Sequence, residues 1–206
     1  MDSSGDMVFV VDDDASVREA VAGLMRSVGI PAESFGSAQE FLLSEHLAIG
    51  ACLVLDLQMP DLTGLDLQRL LSVTGRDLPI IFLTAHGDVR TSVQAMKAGA
   101  FGFLSKPFDE HELLDSVRQA LEQDRLQRVD RKEVEEIRRK YLSLSDRERQ
   151  IMRLLLQGML NKQIAARMGL SEITIKVHRR HIREKMGAES VADLALMATR
   201  LPEPVG

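Results

Sequence analysis

Short apolar runs, partly β-branched, recur through the first half of the chain at Met7–Val11 and at residues 52–55, 79–83 and 101–104, and stretches of helical period fill the spaces between them. This alternation dictates a β/α fold. Cys52, Leu53, Val54 and Leu55 are all apolar, so both faces of that strand must be covered, as in a parallel sheet with helices on each side. A weaker strand is expected at Ala32–Phe35. The connecting helices fall near 15–27, 37–44, 64–71, 88–97 and 109–121, which completes a doubly wound, five-stranded parallel α/β domain over residues 1–122.

In such a sheet, ligands gather beyond the carboxyl ends of the strands. This chain places its polar residues there: Asp12 and Asp13 after the first strand, Asp56 after the third, Thr84 after the fourth and Lys106 after the fifth. Clustered carboxylates repel one another, and a hard divalent cation such as Mg²⁺ relieves the repulsion. A carboxylate can also attack phosphorus, provided that the phosphoryl oxygens are neutralised. Lys106 as a point charge and the Thr84 hydroxyl as a donor suit that task. Asp56, alone on the central strand, is the natural acceptor. Asp14 reads as a helix cap, and Asp61 as part of the turn Pro60-Asp61-Leu62-Thr63-Gly64.

The segments Val10-Val11-Asp12-Asp13-Asp14, Val54-Leu55-Asp56-Leu57-Gln58-Met59-Pro60, Leu83-Thr84-Ala85 and Leu104-Ser105-Lys106-Pro107 resemble the receiver domain of two-component response regulators over residues 6 to about 122. The resemblance implies that Asp56 takes phosphate from a sensor histidine kinase. It implies Mg²⁺ held by Asp13, Asp56 and the Gln58 backbone carbonyl, with Asp12 acting through metal-bound water. It also implies a switch formed by Thr84 and Phe103, and dimerisation on phosphorylation. Ser105 stands where relatives carry Pro.

Charge separates the rest of the chain. Residues 1–124 carry a net −12 and residues 125–206 a net +7, within an overall −5. A basic module suits a polyanion such as DNA. Residues 123–141 are dense in charge and lack Gly and Pro, and they read as a solvated helical linker. Residues 142–206 show helical period throughout, with a capping box at Ser145/Glu148 and a further helix opening at Ser171 or Glu172. Four short helices are expected. Ala165, Gly169 and Ile175 have the spacing of a helix-turn-helix. On the second helix Ile175, Ile182 and Met186 form a core stripe, while Lys176, Arg180 and Arg183 line a basic flank suited to the major groove, where Val177 could meet a thymine methyl. His178 and His181 lack a metal-ligand constellation.

This module resembles the LuxR-type DNA-binding domain over about 142–200, through Leu144-Ser145-Asp146-Arg147-Glu148, Asn161-Lys162-Gln163-Ile164-Ala165 and Thr174-Ile175-Lys176-Val177-His178. The resemblance implies base contacts from Lys176, Val177 and Arg180, and phosphate contacts near Asn161, Lys162 and Thr174. It also implies that a final helix near 190–199 supports dimerisation on DNA. Leu160 replaces the small polar residue usual before the Asn. Together the modules resemble the FixJ/NarL class of transcription regulators.

The expected protein is a phosphorylation-switched DNA-binding regulator rather than a metabolic enzyme, with a sensor kinase, double-stranded DNA and a second copy of itself as partners and RNA polymerase as a further candidate. With one cysteine and no apolar run near the roughly 20 residues that span a bilayer, it is expected in the cytoplasm without membrane attachment. Two rival readings stand beside it: an aspartyl-phosphate phosphatase of haloacid-dehalogenase type using Asp12, and a constitutive DNA-binding protein whose receiver is unused.

Overall fold

A computed structural model describes residues 6–44, 51–76, 78–85 and 89–201, and the chain divides into two compact units, Met1–Arg128 and Val129–Gly206. The first unit holds a five-stranded parallel sheet of order β2-β1-β3-β4-β5, built from β1 (Met7–Val11), β2 (Ala32–Phe35), β3 (Ala51–Asp56), β4 (Ile80–Thr84) and β5 (Gly102–Ser105). Strand ends differ from the sequence reading by one residue at most. Between the strands run α1 (Ala15–Ser27), α2 (Ala38–Leu43), α3 (Gly64–Val73) and α4 (Val89–Lys97), and α5 (Glu110–Leu142) follows β5. The expected start of the fourth helix at Asp88 lies outside the described residues.

Alternation along the strands makes two cores. Phe9, Val11, Leu53, Leu55 and Phe82 face one way and pack with Phe41, Leu67, Leu71 and Ala95 of α2, α3 and α4. Val8, Val10, Cys52, Val54, Ile81, Leu83 and Leu104 face the other way, against Val21 and Met25 of α1 and Leu113, Val117, Ala120 and Leu121 of α5. β3 is buried at all of its positions, as its unbroken apolar run requires. Three rings, Phe9, Phe35 and Phe41, meet with centroids 5.4–6.1 Å apart. At the far end of the sheet, buried Asp124 of α5 accepts from the Ala51 N–H, which satisfies the first backbone donor of β3. Burial and the Asp124 charge both push the Cys52 thiol up, so it stays protonated and inert.

The expected linker continues the helix that begins at Glu110, because nothing between 122 and 140 can end it. Its last turns belong to the second unit, where Ile137 and Tyr141 pack on the core of Leu144, Ile151, Ile164, Ile175, Ile182 and Leu194. The segment is therefore more than a solvated spacer. Beyond it lie the four expected helices, α6 (Asp146–Leu156), α7 (Asn161–Met168), α8 (Glu172–Met186) and α9 (Val191–Thr199). Ser145 and Glu148 complete their capping box at α6. Arg200, just after α9, is ion-paired to Asp130 and Glu133.

Candidate functional site

Strand parity explains why the acidic residues meet. Val10, Val54 and Leu104 share the α1/α5 face, so Asp12, Asp56 and Lys106, each two residues further along, return to that face just as the strands end. Carboxylate oxygens of Asp12, Asp13 and Asp56 lie within 4.8 Å of one another. Asp12 is 1% and Asp56 6% exposed, while Asp13 faces solvent. The Lys106 ammonium donates to Asp12 Oδ2 at 2.6 Å and stands 3.3 Å from Asp56 Oδ2.

Burial raises the pKa of the Asp56 carboxyl, opposed by Lys106 and reinforced by the Asp12 charge, so that it stands above the ordinary value. For Lys106, burial alone would favour the neutral amine. Its bonds and charge interactions with Asp12 and Asp56 outweigh that and hold it above its usual value as a cation.

Local backbone holds these groups in place. Asp14 caps α1, accepting from the Ser16 N–H and hydroxyl, and its own N–H donates to Asp12 Oδ1. The Gln58 N–H donates to Asp56 Oδ1 at 3.3 Å. Thr84, fully buried at the end of β4, lies in register with Ser105, and its carbonyl accepts the Lys106 N–H at 2.7 Å. Phe103 pairs in register with Phe82 and so shares the Thr84 face of the sheet.

Two contributors escaped sequence reasoning. The Arg18 guanidinium donates to the carbonyls of Asp12 and Asp13 at 2.7 and 3.0 Å and steadies the acidic loop. Contacts to backbone carbonyls leave no signature in a sequence. Gly64, read only as a turn residue, is required by space: a Cβ there would lie 2.3 Å from the Asp56 carbonyl oxygen and 2.9 Å from Phe82. The positive φ of the turn belongs instead to Asp61, at 68°.

Three carboxylate oxygens at this spacing suit a hard cation, and Mg²⁺ fits the set, which Asp12, Asp13 and Asp56 could hold. It is the one such group of His, Cys, Asp and Glu among the described residues, and it excludes His178 and His181.

In the second unit Gly169 ends α7 in the left-handed region, at φ 65°, and the Leu170 N–H returns to the Ala165 carbonyl. The choice left open at the next helix falls to Ser171, whose hydroxyl accepts from the Thr174 N–H. Leu160 offers no side-chain cap to α7. Gln163 instead accepts the Leu160 N–H at 2.7 Å.

On α8, Ile175, Ile182 and Met186 are fully buried, and Lys176, Val177, Arg180 and Arg183 are exposed with Lys162 of α7. Several of the expected DNA contacts also have work inside the module. Asn161 accepts from Arg179 at 2.5 Å, Thr174 bonds Ser171, Arg183 donates to the Glu189 carbonyl, and Arg180 lies 3.5 Å from Glu184. Arg147 likewise donates to the Met168 carbonyl.

A parallel sheet of order 2-1-3-4-5 with an acidic carboxyl edge, joined to a helical unit containing a helix-turn-helix, defines a two-module class of protein. Family comparison agrees on both modules. Residues 8–118 match the response regulator receiver domain and residues 142–198 match the bacterial regulatory proteins of the luxR family. The chain belongs to the response regulators of two-component systems that combine a receiver with a LuxR-type DNA-binding domain.

Among its relatives, Nodulation protein W of Bradyrhizobium diazoefficiens is 47% identical, over 95% of this chain and 86% of that protein. The transcriptional regulatory protein FixJ of Azorhizobium caulinodans is 38% identical, over 93% and 90%. The solved structure of the response regulator StyR superposes with a TM-score of 0.85 at 42% identity, over 95% of this chain and 99% of that one. No helix among the described residues is long and apolar enough to cross a membrane.

Proposed function

We propose that this response regulator is a transcription factor switched by phosphoryl transfer from a sensor histidine kinase to Asp56. The observation that carries the proposal is the setting of the Asp56 carboxylate: nearly buried, 3.3 Å from the Lys106 ammonium and grouped with Asp12 and Asp13. An Asp56 oxygen attacks phosphorus, the P–O bond forms as the P–N bond of the phosphohistidine breaks, and the imidazole leaves with the electron pair and takes up a proton. Mg²⁺, when bound, supplies the positive charge that lets phosphoryl oxygens approach the carboxylates.

Lys106 then gains a phosphoryl oxygen as an anionic acceptor beside Asp12, and the Thr84 hydroxyl is the donor on the other side. Movement of Thr84 toward the phosphoryl group frees space on the face it shares with Phe103, and the change at β4 and β5 favours pairing of two chains. Paired chains bring two helix-turn-helix units to adjacent half-sites, which raises the effective concentration of the second contact. Lys176, Val177, Arg180 and Arg183 contact DNA from α8, with Asn161, Lys162 and Thr174 nearer the phosphates. Residues 1–122 serve as the receiver, 123–141 as the connection and 142–206 as the DNA-binding module. Its partners are the kinase, duplex DNA and a second copy, with RNA polymerase a further candidate, and it acts in the cytoplasm.

For the phosphatase alternative the nucleophile would be Asp12, whose oxygens are held at 2.6 Å by Lys106 and at 3.0 Å by the Asp14 N–H, more closely than the two 3.3 Å contacts hold Asp56. The test is Mg²⁺-dependent labelling with a small phosphodonor in wild type and Asp56→Asn, followed by sizing. Label and a monomer-to-dimer shift are expected in wild type alone; label retained by Asp56→Asn would move the acceptor elsewhere.

A further inference from the structure

Ile173, the second residue of α8, is 74% exposed. It takes no part in the helix cap, which Ser171 supplies, or in the core, which α8 first enters at Ile175. Nine residues at about 100° each set Ile173 about 180° from fully buried Ile182. Its side chain therefore occupies the middle of the outward face. One turn further along, Val177 is 41% exposed on the same stripe, and the exposed cations Lys176 and Arg180 lie along one side of the pair. Glu184 lies at the far end of this face, beside Arg180.

We propose that Ile173 and Val177 form an apolar ridge that reads thymine methyl groups in the major groove, with Ile173 as a specificity-determining residue. This rests on the reading of α8 as the DNA-recognition helix. The cationic edge argues for a polyanion as the occupant: Lys176 and Arg180 line one side of the ridge, and exposed Lys162 lies on the neighbouring helix. The first turns of a recognition helix are the part that approaches base edges. Within the major groove the thymine C5-methyl is the one apolar feature of those edges, so a branched apolar side chain held there discriminates T from C by contact rather than by hydrogen bonding.

The experiment uses the full chain and duplexes that it selects from a randomised library. Each thymine is replaced in turn by deoxyuridine, which removes the methyl and leaves the hydrogen-bonding edge unchanged. Wild type is expected to lose about fivefold in affinity at one or more positions per half-site. Ile173→Ser removes the penalty at one of those positions, Val177→Ser removes it at another, and Ile173→Val retains it. The salt dependence of Ile173→Ser stays parallel to wild type, because phosphate contacts are untouched. Indifference of wild type to every substitution, or a full set of penalties in Ile173→Ser, overturns the inference alone. Failure to enrich any sequence, together with salt-independent binding, overturns the DNA reading of α8 and the inference with it.

Discussion

Two residues show how a single side chain, or the lack of one, governs each unit. At Gly64 even one methyl would press on the carbonyl of Asp56 itself, so Gly64→Ala must shift the strand end that carries the proposed phosphoacceptor. A loss on the order of 2–3 kcal/mol in urea unfolding is expected, with slower labelling of Asp56. Wild-type values for both would mean that the backbone yields freely there. Glu148 performs two tasks in the second unit, closing the α6 cap and accepting from Lys185 of α8 at 2.7 Å. Burial would raise the pKa of its carboxyl, but the Lys185 and Ser145 contacts outweigh this and bring it down to about 2. Because the folded value is depressed, the stabilisation is complete above the ordinary 4.5 and is lost as pH falls toward about 2. Glu148→Gln should cost about 1–2 kcal/mol at neutral pH. Thermal unfolding of wild type and variant should converge as pH drops through that window, and a gap that persists at the acid end would assign the effect to shape rather than charge.

At the scale of elements, α5 and the α7–α8 turn carry the consequences. The last turns of α5 contribute Ile137 and Tyr141 to the second core, so Ile137→Ala in the full chain should destabilise the second unit by about 1–2 kcal/mol. Differential scanning calorimetry checks this, with the receiver transition expected to stay in place. A common shift of both transitions would contradict the assignment of Ile137 to one core. Gly169 holds the left-handed conformation that lets α8 turn away from α7. Gly169→Ala costs roughly 1–2 kcal/mol by that backbone strain, and chemical denaturation followed by helical signal measures it.

At the scale of the whole molecule, charge is divided between the two ends of the chain, and DNA binding should follow the salt dependence of its basic end. Lys162→Ala is expected to weaken binding evenly across sequences and to lower the log–log salt slope by about one. If phosphorylation works by pairing chains, the phosphorylated protein should show about twice the slope of the unphosphorylated one; equal slopes would place the switch elsewhere. Much of this architecture was legible in the chain itself. Apolar runs of strand length, the return of Asp12, Asp56 and Lys106 to one parity, and Gly169 between two helical periods are local patterns, and local pattern determines secondary structure and strand facing. Other features leave no periodic mark on the sequence and were decided by the folded geometry. These include the Arg18 bonds to the carbonyls of the acidic loop, the need for glycine at position 64, the docking of Ile137 and Tyr141, and the bonds of Arg179 to Asn161 and of Arg183 to the Glu189 carbonyl. Periodicity reports which face of an element a residue occupies. What meets that face depends on packing, which brings together groups that no spacing along the chain relates.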